Sequence, residues 1–240
     1  YLIRAYTLTG NAYVNQPKRY RDHRRARGAY QQAVKAYKSI PKSARKDLPL
    51  EARSAAAEAL FKLATYEFNQ VKKIEFTKVR KTKDVKRHIK MVQKNVQKLN
   101  KKMAKVKKSY EEVLSLNVES WGLAALSQIG QMFYFFFTTL EKTPPPRIFD
   151  YEMQEYFSSA MILQADPLRR KAIEAYKTCL DKSLKVQWFN EWTDLAEKQI
   201  AKINPEEYRY SVEERATPFN FHNTKLRRSL ITSLPEEEEE

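Results

Sequence analysis

Cysteine, glycine and histidine are all scarce in this chain, and each scarcity removes a class of chemistry. One cysteine, Cys179, in 240 residues excludes an internal disulfide framework. Four scattered glycines cannot build a loop that cradles phosphate. His23, His88 and His222 stand in separate segments beside Arg, Lys or Asn, without metal-ligand spacing. Surface positions are expected for all three. Cys179 falls on the apolar stripe of its segment, where a thiol behaves as a small hydrophobe and not as a nucleophile. Carboxylate pairs such as Glu111–Glu112 and Glu206–Glu207 are expected at helix surfaces or ends. With no paired acid, base or nucleophile, the chain reads as non-enzymatic, with no cofactor, metal or small-molecule substrate expected.

Acid is missing from one stretch in particular. Residues 72–108 carry 16 Lys or Arg against only Glu75 and Asp84, which accounts for nearly all of the net charge of +16. Proline is confined to 144–146 and to positions near expected element ends, so helices joined by short turns are favoured. The chain starts at Tyr1 without Met, and a mature or trimmed form is expected, one that would have lost any signal segment or anchor.

What is present is helical periodicity. Val85, Ile89, Val92, Val96, Leu99, Met103, Val106, Tyr110 and Val113 recur in alternating steps of four and three, a heptad seam over residues 83–116. Such a helix is about 50 Å long and needs a partner for its seam. Residues 50–76, with Ala56, Leu60, Leu63, Ala64, Phe68, Val71 and Ile74 at helical spacing, supply one. A short charged connector, 77–82, makes the two an antiparallel hairpin, expected to protrude with its lysines outward.

The remaining segments follow the same grammar. Helices are expected over 2–15, ended by Pro17, and over the segment with Ala26, Tyr30, Ala33, Val34, Tyr37 and Ile40, closed by Pro41. Between them lies a basic cluster from Lys18 to Arg27, and Pro49 suits the start of the next helix. The uncharged run from Trp121 to Leu140 is long enough to cross a bilayer, but Ser127, Gln128 and Gln131 at mid-span favour a core helix wrapped by neighbours. After the stiff Pro144–Pro146 turn, helices are expected over 150–165, 167–185 and 189–203, with Asp166 capping the second and Pro167 in its first turn. The apolar island Phe219, Phe221, Leu226, Leu230 and Ile231 is expected to dock on the helices, and the terminal run of five Glu to rest on basic surface of this or a neighbouring chain. The expected organisation is an N-terminal helix pair (1–49), a long basic hairpin (50–116), further paired helices (117–204) and an irregular tail with an acidic end (205–240).

Ala33, Tyr37 and Pro41 match the spacing of a repeat's second helix, and KSYEEVLSL (108–116) and KAIEAYKTCLDKS (171–183) return to small residue, Tyr, then Leu. SWGLAALSQIGQMFYFF (120–136) has first-helix character, with Gly130 where close packing leaves no room for a side chain. In this order, followed by PPP and WFNEWTDLAEKQIAKINPEEY, the chain resembles the tetratricopeptide-repeat envelope proteins of myxobacteria and related predatory bacteria, some tied to gliding motility. The resemblance covers about residues 50–208 and is strongest over 108–208. It implies an all-α fold of paired repeat helices, an α-solenoid, carrying one extended coiled-coil hairpin. It also implies a scaffold role in the periplasm or at the outer membrane; a cytoplasmic location is the alternative. It brings no catalytic residues.

Lys90, Lys94, Lys98, Lys101, Lys105 and Lys108 lie away from the seam and make the strongest candidate partner-binding surface. An acidic protein, an anionic surface or duplex phosphate would suit it. Residues 77–109 contain no aromatic side chain for stacking single-stranded bases, so nucleic acid is the less favoured partner. Tyr134, Trp188 and Trp192 belong to a second candidate set, aromatic residues near a repeat groove, where envelope proteins or peptides would bind. Phe133, Phe135, Phe136 and Phe137 cannot all be buried against one neighbour, so either a second layer covers them or some face a groove.

Overall fold

The computed structural model describes residues 1–74 and 84–210, and every regular element among them is helical. The order is α1 (Leu2–Asn15), a 3-10 turn (Lys18–Tyr20), α2 (His23–Lys38), α3 (Leu50–Val71), α4 (Val85–Leu114), α5 (Glu119–Glu141), α6 (Tyr151–Val186) and α7 (Glu191–Ile203). Each helix packs against the next, and the odd-numbered ones also touch in series, α1 on α3, α3 on α5 and α5 on α7.

Local chemistry explains most boundaries. Asp22, Asp84, Asp150 and Asn190 cap α2, α4, α6 and α7 by accepting backbone N–H bonds of their first turns. Asn190 and Thr193 do so reciprocally. Pro49 precedes α3, where its missing N–H costs nothing. Arg45 closes α2 from the following linker: its guanidinium donates to the Lys38 and Ile40 carbonyls at 2.7 and 2.8 Å and lies over the Tyr37 ring.

Three helix pairs share one packing device. A tyrosine of each second helix, Tyr30, Tyr110 or Tyr176, is buried with a small or β-branched residue four before and another residue of modest size three after it: Ala26 and Ala33, Val106 and Val113, Ala172 and Cys179. In two pairs the ring lies against a glycine of the first helix. A Cβ on Gly130 would stand 2.5 Å from Tyr176 Cε1, and one on Gly10 would meet Tyr30 as closely. In α2 the buried set is thus Ala26–Tyr30–Ala33, about two turns ahead of the expected Ala33–Tyr37–Pro41.

α3 and α4 run antiparallel, since Thr65 meets Tyr110 while Glu67, two residues on, meets Lys105. α3 is buried on two sides by a run of alanines and by Phe61, whose ring centroid lies 5.9 Å from Tyr110, 5.3 Å from Trp121 and 5.3 Å from Trp192. That hub joins α3, α4, α5 and α7 and is absent from the apolar periodicity read above. α5 is the central helix, in contact with α3, α4, α6 and α7. Among the described residues it is the one helix long and apolar enough to cross a membrane, and 61% of its most apolar window is buried within the fold. Only Phe136 of its four phenylalanines is fully buried; Phe135 meets Phe68 edge-on and Phe137 stacks on Tyr134.

Several expectations need correction. α3 ends at Val71 and not near 76, and α4 starts at Val85; the expected connector 77–82 lies outside the described residues. The hairpin does not stand clear of the body, because α5 packs on α4 as α3 does. His88, expected at the surface, is fully buried, and Ile89 takes the exposed place, 40% accessible. The reason is a specific bond: His88 Nε2 donates to the Pro144 carbonyl at 3.0 Å, and its ring meets Phe157 edge-on. Residues 150–185 form one helix with Pro167 inside it, not two. The carbonyl that Pro167 leaves without a donor is that of Leu163, on the solvent side of the helix, where water can serve it. Asp166 is no cap; its carboxylate takes Arg169 and Arg170 at 2.9 and 2.7 Å, which hold it below the usual carboxylate range. The apolar island 219–231, the run of five Glu and His222 lie outside the described residues.

Candidate functional site

The seam and the lysines of α4 divide the helix. Val92, Leu99, Met103, Val106, Tyr110 and Val113 are buried, and Val85 and Val96 are half-buried. At 100° per residue, Lys90, Lys94, Lys98, Lys101, Lys105 and Lys108 fall within an arc of about 80° on the other side, over about 27 Å of axis. All six are exposed. The only acids of α4 are Glu111 and Glu112, in its last turn, where Glu111 pairs with Lys107 at 2.8 Å and Glu112 with Lys38 of α2 at 2.9 Å.

Of the six lysines, Lys105 pairs with Glu67 at 3.3 Å. The other five have no carboxylate within ion-pair distance among the described residues. Among the described residues no acid neutralises their charge, so an acidic surface laid along α4 would displace counterions and gain several new contacts.

Near its C-terminal third, α4 faces α2 and α3 across a groove of about 390 Å³, lined by Arg27, Tyr66, Glu67, Gln70, Lys102 and Lys105. The Arg27 guanidinium lies over the Tyr66 ring, 4.6 Å from its centroid, which fixes the cation at the groove wall. A second hollow of about 230 Å³ shares Arg27 and Tyr66 and continues to His23, Lys62 and Asn69. Glu67 is the single carboxylate on this lining, and it is engaged by Lys105 and by the Ser109 hydroxyl at 3.4 Å. The groove is therefore cationic, with amide and aromatic groups between the charges. Arg27 belongs to the basic cluster seen in the sequence, but nothing local shows that it meets Lys102, which lies two helices further along the chain; only tertiary packing brings them together.

The aromatic candidates do not gather into one groove. Tyr134 is half-buried on α5 and stacks on Phe137. Trp192 is a packing residue of α7, edge-on to Phe61. Trp188 is 50% exposed at the α6–α7 corner, just after Gln187, whose φ of 50° turns the chain in the left-handed region.

For nucleophilic or metal chemistry the described residues offer little geometry. Burial pushes the Cys179 thiol up to about 12, and its Sγ lies 3.4 Å from the Leu123 carbonyl, inside the α5–α6–α7 core. No group of three His, Cys, Asp or Glu comes together as a metal site among the described residues. Comparison with protein-family models, with curated proteins and with solved structures finds no match to this chain.

Proposed function

We propose that the protein is a non-catalytic helical-repeat scaffold of tetratricopeptide type that holds an acidic protein partner along the lysine face of α4 and in the adjoining Arg27 groove. The observation that carries this reading is the exposure of Lys90, Lys94, Lys98, Lys101 and Lys108 on one side of a helix, without a carboxylate partner among the described residues. A charge row of this length must find its counter-charge outside the described fold, and a partner supplies it at low cost.

The repeat assignment is supported by the three tyrosine-centred pairs, α1/α2, α3/α4 and α5/α6, with α7 as a closing helix, and by the serial contact of the odd-numbered helices. The alternating three-and-four seam of α4, packed antiparallel on α3, supports a coiled-coil-like pairing of those two. The resemblance to envelope repeat proteins of predatory bacteria supports a place in a periplasmic or outer-membrane complex, and a link to motility only in that some members of that group have one. Fractionation of the native protein tests this: recovery with the cytoplasmic fraction would overturn the envelope assignment without touching the scaffold one.

A second reading, duplex nucleic acid bound through phosphate, draws on the same free lysines. Titration of an acidic peptide and of a short DNA duplex at about 150 mM salt separates the two, because contact through phosphate alone weakens steeply there. Binding of the peptide and weak binding of the duplex is expected. Tight duplex binding that survives this salt, with no peptide binding, would overturn the scaffold reading.

A further inference from the structure

We propose that the N-terminal half of α6 is a self-association surface, on which a second copy of this chain packs antiparallel about Ala160. From Tyr151 to Gln164 the described residues cover this helix on one side, where Phe157 and Met161 lie against the body. Its outer side carries Met153, Tyr156 and Leu163, with accessibilities of 52%, 80% and 77%, and Ala160 between them. The steps from 153 to 163 are three, four and three, the spacing that lets two helices pack knobs into holes. A monomeric protein gains nothing from ordering large apolar side chains in water along one stripe, whereas a matching stripe would bury them.

The occupant follows from charge and symmetry. Asp150, Glu152 and Glu155 stand at one end of the stripe, and Arg169, Arg170 and Lys171 at the other. Asp166 is held by Arg169 and Arg170 of its own helix, and the far end stays cationic with it included. A segment that is acidic at one end, apolar in the middle and basic at the other is complementary to itself when reversed. Two copies related by a twofold axis through Ala160 bring Tyr156 of one against Leu163 of the other, and Glu152 against Arg170. The small Ala160 sits where the two backbones come closest, and the interface is isologous, so the assembly closes at two copies. A stripe of about 15 Å between 153 and 163 belongs to the small, reversible class of interface, so the dimer is expected to exchange with monomer.

Sedimentation equilibrium of the full chain over a rising concentration series, with Ala160→Cys and Leu163→Glu beside the wild type, tests this. Cys179 is buried and does not compete for oxidation. The wild type is expected to shift from monomer to dimer, Leu163→Glu to weaken association by roughly tenfold or more, and Ala160→Cys to form a covalent dimer under mild oxidant. Both variants change exposed positions, and unchanged circular dichroism shows that they fold. A wild type that stays monomeric, or a dimer that Leu163→Glu leaves intact, or one in which Ala160→Cys fails to cross-link, would overturn the proposal. Substitution of the α4 lysines leaves the dimer unchanged, so failure here and failure of the acidic-partner reading are separate results.

Discussion

The Tyr30 hydroxyl donates to Asn11 Oδ1 at 2.7 Å and the Tyr110 hydroxyl lies 3.2 Å from Thr65 Oγ1, whereas the Tyr176 hydroxyl is buried with no partner among the described residues. Removing a satisfied buried hydroxyl loses a bond and strands its partner; removing an orphan relieves a desolvation cost. Tyr30→Phe and Tyr110→Phe are therefore expected to lower stability by about 1 kcal/mol each, and Tyr176→Phe to leave it unchanged or raise it by up to about 1 kcal/mol, as read by urea unfolding. The same burial sets a pH limit. Burial first, and the charge of Glu58 second, push Tyr30 up to about 12; burial pushes Tyr110 and Tyr176 higher still, and Cys179 up to about 12. Each group is neutral in the fold over a range where the unfolded chain has already lost the proton, so the unfolded state binds fewer protons and stability falls as pH rises. Thermal midpoints should be flat to about pH 9, then fall through about pH 12, with each deeply buried group contributing at most about 1.4 kcal/mol per pH unit. A midpoint flat through pH 11 would contradict these burials.

At the scale of single helices, the glycines separate packing from propensity. Gly10 and Gly130 are pressed by tyrosine rings, and Gly28, in the middle of α2, has open space where a Cβ would go. Gly130→Ala and Gly10→Ala should cost about 1–3 kcal/mol through overpacking, while Gly28→Ala should gain about 1 kcal/mol from helix propensity alone. Denaturant midpoints of the three variants check this, and a stabilised Gly130→Ala would mean the α5–α6 contact is looser than described. Much of this scale was legible in the sequence. The seam of α4 could be read because its spacing is set by the helix itself, and Gly130 because a glycine inside a helical run needs a reason. Two features were not. His88 in place of Ile89 depends on the Pro144 carbonyl as acceptor, over fifty residues away, and polar identity misleads when the partner is distant in sequence. Pro167 reads locally as a helix start, yet the helix runs through it because the lost bond falls on the solvent side and Ala165, Leu168 and Ala172 hold the helix to the body.

For the whole molecule, the helical class and the location of the charge were legible in the residues alone, since both are sums over residues. It could not give the Arg27 groove, which exists only where α2, α3 and α4 converge, nor the demotion of Trp192 from candidate groove residue to packing residue against Phe61. Phe61 shows the same limit: one ring joins four helices, and Phe61→Ala is expected to cost about 3–5 kcal/mol, a loss visible in the thermal midpoint. The α4 lysines are the reverse case. Apart from Lys105 and Lys107, paired with Glu67 and Glu111, they have no described ion pair to lose, so exchanging the others should change stability by no more than about 0.5 kcal/mol while altering what the surface attracts.

That difference gives the most direct test of the account. The affinity of an acidic peptide is measured for the wild type and for a variant carrying Lys90→Gln, Lys94→Gln, Lys98→Gln and Lys101→Gln together. The account predicts binding that weakens with salt in the wild type and is lost in the variant, with unchanged circular dichroism and thermal midpoint. Equal affinity of the two proteins, or loss of binding accompanied by loss of the fold, would contradict it.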